Sequence, residues 1–312
     1  MNFLITSVSR KVTLIENVKD VAKRLGSSVI YGGDLNEKCI GRYFVDEFWW
    51  MPPLDDLAVS DFISYCQQNQ ISFVIPTRDK ELLYFAKNLS LLEENGIFVM
   101  VSGLSALNHT SDKLKFYQYL KDRDYSAIET SLNLKTVSGN YFVVKERFGS
   151  GSKRLYLKVK EEEAIKVARH LDAAIYQPYI EGIEFSIDVY VDQVGKSKGA
   201  VVRERVLVVN GESQITRTAR LPELEKLAME LAEVLDLRGH VMFQAIVDET
   251  GTPHIIECNP RFGGASTLSV AAGLDSFYWF FLESTGKSLE DIPFTRSEKE
   301  LTQVRYAKDL IF

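Results

Sequence analysis

Residues 3–7 form a short apolar run, after which apolar positions recur at helical spacing through Val12, Ile15, Val18, Val21, Ala22 and Leu25. A second short run, Ser28-Val29-Ile30-Tyr31, then meets Gly32-Gly33-Asp34, and together these predict a βαβ opening. The pattern continues with an apolar stretch at 44–50, a helical pattern at 56–68, the buried-strand run Phe73-Val74-Ile75-Pro76, a helix from about 79 and the strand Ile97-Phe98-Val99-Met100. Alternation of this kind predicts a parallel sheet with helices on both faces, ending near residue 105.

After a helix at about 112–123 the pattern changes. Strands are expected at 141–145 and 154–158, a helix at 160–171 and a strand at 174–177. Long alternating strands follow near 184–192, 197–209 and 240–247, interrupted by a helix over 221–235, with a final strand at 253–258. This half reads as α+β with a mostly antiparallel sheet. No internal repeat, Pro-rich linker or low-complexity tract separates the halves, so they are expected to pack closely.

Composition narrows the class. The chain has 312 residues, with 46% hydrophobic and 26% charged, which suits globular domains and excludes collagenous or disordered chains. A formal net charge of −6 disfavours nucleic acid as a partner. Cys39, Cys66 and Cys258 lie far apart with no CxxC pair, so they are expected to be reduced thiols. Arg10-Lys11 follows the first apolar stretch rather than preceding it, and no apolar run is long enough for a bilayer, so a cytoplasmic, soluble protein is expected.

Several chemistries are disfavoured. The first βα turn, Ser7-Val8-Ser9-Arg10, lacks the GxGxxG glycines that admit a pyrophosphate, which argues against a dinucleotide-dependent oxidoreductase. Gly195-Lys196-Ser197 and Gly286-Lys287-Ser288 are chance triplets, because Tyr190 and Phe281 stand where a P-loop needs its upstream glycine. The four histidines show no metal-binding spacing and read as surface or ordinary core residues.

Three segments carry candidate chemistry. Lys145 ends an apolar strand, and Gly149-Ser150-Gly151-Ser152-Lys153-Arg154 follows, a loop whose backbone N–H groups could close over phosphate oxygens; a plain turn beside a solvated lysine would look the same. In the strand beginning near 183, Phe185, Ile187 and Val189 take one face and Glu184, Ser186 and Asp188 the other. If that polar face lines a cleft, Glu184 is an acceptor for ribose hydroxyls and the Gln177–Ile180 backbone meets an adenine edge. Finally, Glu257 and Asn259 project from one face at the end of a strand, with Arg261, Gly263 and Gly264 immediately after, a donor set suited to Mg²⁺ and phosphate. Gln244 breaks an otherwise apolar neighbouring strand, as a metal ligand or as a buried structural amide.

Taken in order, Asp112-Lys113 opening a helix, Val144-Lys145 before the Gly/Ser loop, Gln177-Pro178-Tyr179-Ile180-Glu181-Gly182-Ile183-Glu184, Gln244, and Glu257-Cys258-Asn259-Pro260-Arg261 resemble the ATP-grasp superfamily. The nearest likeness is to the synthetase units of the carbamoyl-phosphate synthase large subunit and related carboxylate–amine ligases. The motifs cover about 110–275, and the first half, including Ile75-Pro76-Thr77-Arg78-Asp79-Lys80-Glu81-Leu82, resembles the pre-ATP-grasp domain. The implied architecture is α/β plus α+β: a Rossmann-like parallel-sheet domain at 1–108, then a two-lobed ATP-grasp domain at 109–312 with a lid at about 133–178 and a C-terminal lobe at about 179–312.

The resemblance implies an ADP-forming ligase that activates a carboxylate, or bicarbonate, as an acyl phosphate for attack by an amine. The cofactors implied are ATP and two Mg²⁺ ions, with Mn²⁺ as a substitute. Lys113 and Lys145 would hold ATP phosphates under a lid at Gly149, Ser150 and Gly151. Gln177, Tyr179 and Ile180 would line the adenine pocket and Glu184 would take the ribose. Gln244, Glu257 and Asn259 would hold metal, where many members carry an acid at the position of Gln244. Arg261, with Lys145 and Asn259, would act on the transferring phosphoryl group. Arg203, Arg205, Arg217 and Arg220 are candidates to clamp the acceptor carboxylate, or else a solvated row on strands. Small-molecule substrates are expected as partners, with neither nucleic acid nor membrane, and a homodimer is allowed. The rival readings are an ATP-binding module that no longer catalyses and, less favoured, the oxidoreductase.

Overall fold

The computed structural model describes residues 1–26, 28–149, 151 and 154–311. The first part runs β1 (Asn2–Thr6), α1 (Val12–Arg24), β2 (Ile30–Asp34), β3 (Glu47–Trp50), α2 (Val59–Gln68), β4 (Ile71–Ile75), α3 (Asp79–Lys87), α4 (Leu89–Glu94) and β5 (Phe98–Val99). Its five strands are parallel in the order β3-β2-β1-β4-β5. Alternation along β1 explains the two-sided burial: Phe3 and Ile5 join α1 on one face, while Leu4 joins α2 and α3 on the other. Gly32 and Gly33 lie inside β2 rather than in the turn that the sequence suggests. A Cβ at Gly32 would come within 2.7 Å of Val45 Cγ1, so the glycine serves close packing.

Next come α5 (Leu104–Thr110) and α6 (Lys113–Lys121), then β6 (Phe142–Glu146), β7 (Tyr156–Val159), α7 (Glu161–Ala168) and β8 (Ala174–Pro178). These three strands form a small antiparallel sheet, β7-β6-β8, with its own core of Phe142, Val144, Val159 and Ala164. The remainder comprises β9 (Gly182–Val191), β10 (Ser197–Val209), β11 (Glu212–Ala219), α8 (Pro222–Val234), β12 (Gly239–Asp248), β13 (Pro253–Asn259), α9 (Thr267–Ala271), α10 (Ser276–Ser284) and β14 (Thr302–Val304). Its six-stranded sheet runs β13-β12-β9-β10-β11-β14, with every pairing antiparallel.

The halves share a core: Phe277 and Phe280 of α10 pack with Phe3, Phe73 and α1. β11 is absent from the sequence expectation although its signal is present. Asn210 and Gly211, at φ 51° and 77°, supply the paired positive φ values of a tight hairpin. Both improbable GKS triplets lie outside helix N-termini: Gly195 turns β9 into β10, and Gly286 follows α10.

Candidate active site

β12 and β13 bring the proposed metal ligands together. Their register sets Gln244 opposite Glu257 and Met242 opposite Asn259. Asn259 Nδ2 donates to Glu257 Oε1 at 3.1 Å. With its amide turned so that Nε2 faces Glu257, Gln244 donates to the same Oε1 at 2.6 Å and accepts from Arg205. One carboxylate and two amides thus share one patch at the sheet edge.

Lys145 approaches this patch from the small sheet. Its side chain is only 9% exposed, and it has no ion pair among the described residues. Burial drives its ammonium down to about 8; Glu257 and Glu184 pull it up, and Lys113 pushes it further down. A buried ammonium with carboxylates on one side and another cation beyond is a place for an anion with several oxygens.

Lys113 opens α6, where Asp112 caps the helix by accepting from the Leu114 and Lys115 amides at 3.1 and 3.2 Å. Its ammonium donates to the Gly149 carbonyl at 2.8 Å, tying the helix to the proposed lid. Arg147 also forks onto Asp112, Nε to Oδ1 at 2.7 Å and Nη2 to Oδ2 at 2.6 Å. Although burial alone raises the Asp112 carboxyl, the Arg147 fork and the helix amides carry it below its ordinary value. The Arg147 clamp is invisible in sequence because its partner lies 35 positions away. Gly149 and Gly151 adopt φ 106° and 78°, whereas Ser150 lies outside the described residues.

The proposed adenine and ribose residues are partly committed already. The Gln177 side chain is buried and donates to Thr130 Oγ1 at 2.8 Å, and the Tyr179 amide donates to the Tyr141 carbonyl at 2.9 Å. Ile180 links β8 to β9, half-buried. Glu184 accepts from Arg205 Nη1 at 2.6 Å, at the outer end of β9. Of the polar face Glu184 is half-buried, whereas Ser186 and Asp188 are buried, Asp188 against Ser266 and Ser269.

Each arginine of the row has a carboxylate partner within the chain, Arg203 and Arg205 buried and Arg217 and Arg220 exposed as a solvated row would be. Arg203 is 1% exposed and donates to Asp188 at 2.6 Å; Arg205 holds Glu184; Arg217 pairs with Glu204 at 2.7 Å; Arg220 pairs with Glu300 at 3.1 Å. Arg261 reaches into the other half of the molecule. Its Nε and Nη2 donate to both oxygens of Asp79, at 2.6 and 2.7 Å, while Nη2 lies 3.4 Å from Asn259 Oδ1. His240 is a buried core residue, as expected, and joins Asp188 at 3.1 Å and Ser276 at 2.9 Å in a buried network.

Residues 170–308 match a family described as "ATP-grasp in the biosynthetic pathway with Ter operon", and residues 3–100 match the "PylC-like, N-terminal domain". The chain carries an ATP-grasp domain. Among solved structures it is similar to the biotin carboxylase domain of Hydrogenobacter thermophilus 2-oxoglutarate carboxylase, at TM-score 0.77 and 16% identity, covering 96% of this chain and 73% of that one. N5-carboxyaminoimidazole synthetase from Staphylococcus aureus, complexed with ADP, gives TM-score 0.72 at 20% identity over 92% of this chain and 78% of that one. L-amino acid ligase from Bacillus licheniformis gives 0.71 at 17%, over 96% and 78%. No curated protein matches the sequence. Lys145 of the small sheet lies within electrostatic reach of Glu257, which Gln244 and Asn259 flank at the end of the large sheet. Among the described residues no helix is long and apolar enough to cross a membrane.

Proposed function

We propose that this ATP-grasp chain is an ADP-forming ligase. It transfers the γ-phosphoryl group of ATP to a carboxylate, or to bicarbonate, and presents the acyl phosphate to an amine or similar nucleophile. The observation that carries the reading is the buried, unpaired Lys145 ammonium set against Glu257, Gln244 and Asn259. An ammonium there meets phosphate oxygens as a fixed charge, and no side-chain nucleophile is required. The carboxylate oxygen attacks the γ-phosphorus as its bond to the β-phosphate oxygen breaks; the amine then attacks the acyl carbon and phosphate leaves.

The oxygen donors of Glu257, Gln244 and Asn259 suit Mg²⁺, which takes one or two protein carboxylates and completes its shell with phosphate oxygens and water. Two ions are expected, with Mn²⁺ as a substitute, and when bound they neutralise phosphate charge. Lys113 and the Gly149–Gly151 turn cover the phosphates, and Glu184 takes the ribose once Arg205 yields one of its oxygens. We place the division of the chain at 1–108 and 109–312, with a lid at about 133–178, and assign it to the cytoplasm, with a homodimer as its allowed assembly. The similar structures support the reading in kind, since their names include ADP, MgADP and bicarbonate.

The test is ADP and phosphate release across a panel of carboxylates, with and without amines, beside calorimetric titration of MgATP. Acid-dependent ADP release establishes the ligase. MgATP binding without ADP release for any acid would leave a nucleotide-binding module.

A further inference from the structure

Two ammonium groups that hold one polyphosphate repel each other until it arrives, so the fold must keep Lys113 and Lys145 together in its absence. They come from different elements: Lys113 is the first residue of α6, and Lys145 lies near the end of β6. Lys113 pushes the Lys145 ammonium down, which places the two charges within electrostatic reach of each other.

Arg147 joins the two elements. Its amide donates to the Ala173 carbonyl at 3.0 Å, which extends the pairing of β6 with β8 one step beyond Glu146 and Ala174. Residues 145 and 147 of an extended segment leave it on the same side. From that side the Arg147 guanidinium reaches Asp112, Nε to Oδ1 at 2.7 Å and Nη2 to Oδ2 at 2.6 Å, while the Arg147 carbonyl accepts from the Lys113 amide at 3.3 Å. The Lys113 ammonium closes the same junction on the Gly149 carbonyl at 2.8 Å. Asp112 is buried and Arg147 half-buried, and a two-armed pair in that setting fixes angle as well as distance. Asp112 also caps α6, so the carboxylate that orients the start of the helix is the one that Arg147 grips. An unpaired carboxylate one residue from Lys113 would repel the phosphate that Lys113 binds, and the fork neutralises it.

We infer that Asp112 and Arg147 are a positioning pair that holds Lys113 and Lys145 at the separation a nucleotide polyphosphate needs. The inference rests on the reading of the two lysines as phosphate ligands and adds the residues that set them in place. Arg147 acts through the lysines and not on phosphate, since both arms of its fork are spent on Asp112.

The experiment is a double-mutant cycle read by calorimetric titration of MgATP without any carboxylate substrate. Arg147→Met should weaken MgATP binding about tenfold. Asp112→Asn, which keeps a capping side chain but loses the charge, should act in the same direction. Arg147→Lys, which keeps the cation and one arm, should fall between Arg147→Met and wild type. In a Lys113→Ala background, Arg147→Met should change affinity by less than about threefold, because its effect passes through the missing lysine. Cooperative urea unfolding shows that each variant is folded, and Asp112→Asn and Arg147→Lys carry the test if Arg147→Met is not. Full additivity with Lys113→Ala would mean that Arg147 touches phosphate itself, and it overturns the inference. Unchanged MgATP affinity in the Arg147 and Asp112 variants, with a loss confined to Lys113→Ala and Lys145→Ala, sinks the inference alone. Wild-type affinity in both lysine variants removes the phosphate reading and the inference with it.

Discussion

Arg261 and Asp79 stand 182 positions apart yet form a two-armed ion pair, with Nε to Oδ1 at 2.6 Å and Nη2 to Oδ2 at 2.7 Å. Asp79 opens α3 in the parallel-sheet half, and Arg261 follows the β13 residues that would hold metal. The pair therefore ties the start of α3 to the segment that follows Glu257 and Asn259. It also means that Arg261 reaches a phosphoryl group only with its fork oriented, or released, by Asp79.

Arg261→Lys keeps the charge but cannot make both bonds to Asp79. It should keep ATP affinity while slowing acid-dependent ADP release about a hundredfold, the scale of one preorganised donor. Asp79→Asn should lower kcat in the same direction, since the guanidinium loses its orienting partner. Steady-state kinetics checks both: a normal kcat with only a raised KM for ATP would make Arg261 a ground-state clamp.

Lys145→Ala should weaken ATP binding tenfold or more, because a charge-assisted contact to phosphate contributes about 1.5–3 kcal/mol. Since the Lys145 ammonium titrates near 8, ATP affinity in the wild type should fall as pH rises through that value, and the variant should lose this dependence. Protein stability should move the other way. The unfolded lysine holds its proton to about 10.4, so the cost of burying the charge is relieved between pH 8 and that value. Calorimetry from pH 6.5 to 9.5 checks the first part; an unchanged affinity in Lys145→Ala would remove the phosphate role.

How far the sequence reaches depends on what kind of contact sets each feature. β10 over Ser197–Val209 and β13 over Pro253–Asn259 coincide closely with their expected spans, because apolar runs bounded by turn residues mark strands even where burial does not alternate along them. α10 escapes the same reading, since Ser276–Ser284 is apolar on nearly every side and wedges between the two halves. β14 is three residues at a sheet edge, too short for any period. At the site, Lys145, Glu257 and Asn259 are legible as polar interruptions at strand ends. The partners of Arg147, Arg203 and Arg261 are not, because ion pairs closing over 35, 15 and 182 positions leave no local signature.

Glu257→Gln should fold normally and lose nearly all ADP formation. The amide retains the shape and the hydrogen bond from Asn259, but it gives up the carboxylate charge that Gln244 and Asn259 flank. ADP formation within threefold of wild type at saturating Mg²⁺ would place the metal elsewhere.

Gly149 and Gly151 should gain amide protection when MgATP is added. A covering loop must admit ATP and then exclude water from a labile acyl phosphate, and two residues at positive φ let the turn close with little strain. The bond from Lys113 to the Gly149 carbonyl gives the loop its anchor on α6, so Lys113→Ala should reduce the protection gained. Equal exchange with and without MgATP would describe a static turn.

The segment bearing Arg261 is anchored by a charge that the chemistry never touches. Asp188, fully buried on β9, accepts from Arg203 Nε at 2.6 Å, Ser266 Oγ at 2.6 Å and Ser269 Oγ at 2.5 Å, and lies 3.1 Å from His240 Nε2. Ser266 Oγ in turn accepts from the Gly263 amide at 2.8 Å, two residues beyond Arg261. Gly263 has no room for a side chain there, since a Cβ would sit 2.4 Å from Met242 Sδ. Burial opposes the Asp188 charge, but Arg203 and His240 hold the carboxyl well below its ordinary value. A carboxylate lowered in this way contributes stability above its unfolded pKa of about 3.9 and loses it as pH falls from there toward the folded value. Asp188→Ala leaves Arg203 buried without its partner and should cost about 3–5 kcal/mol in urea unfolding. Asp188→Asn keeps the volume and should flatten the decline of stability between pH 5 and pH 2. Unfolding curves that fall as steeply in the Asn variant as in the wild type would show that other carboxylates govern acid stability, and would reduce Asp188 to a packing element under the Arg261 segment.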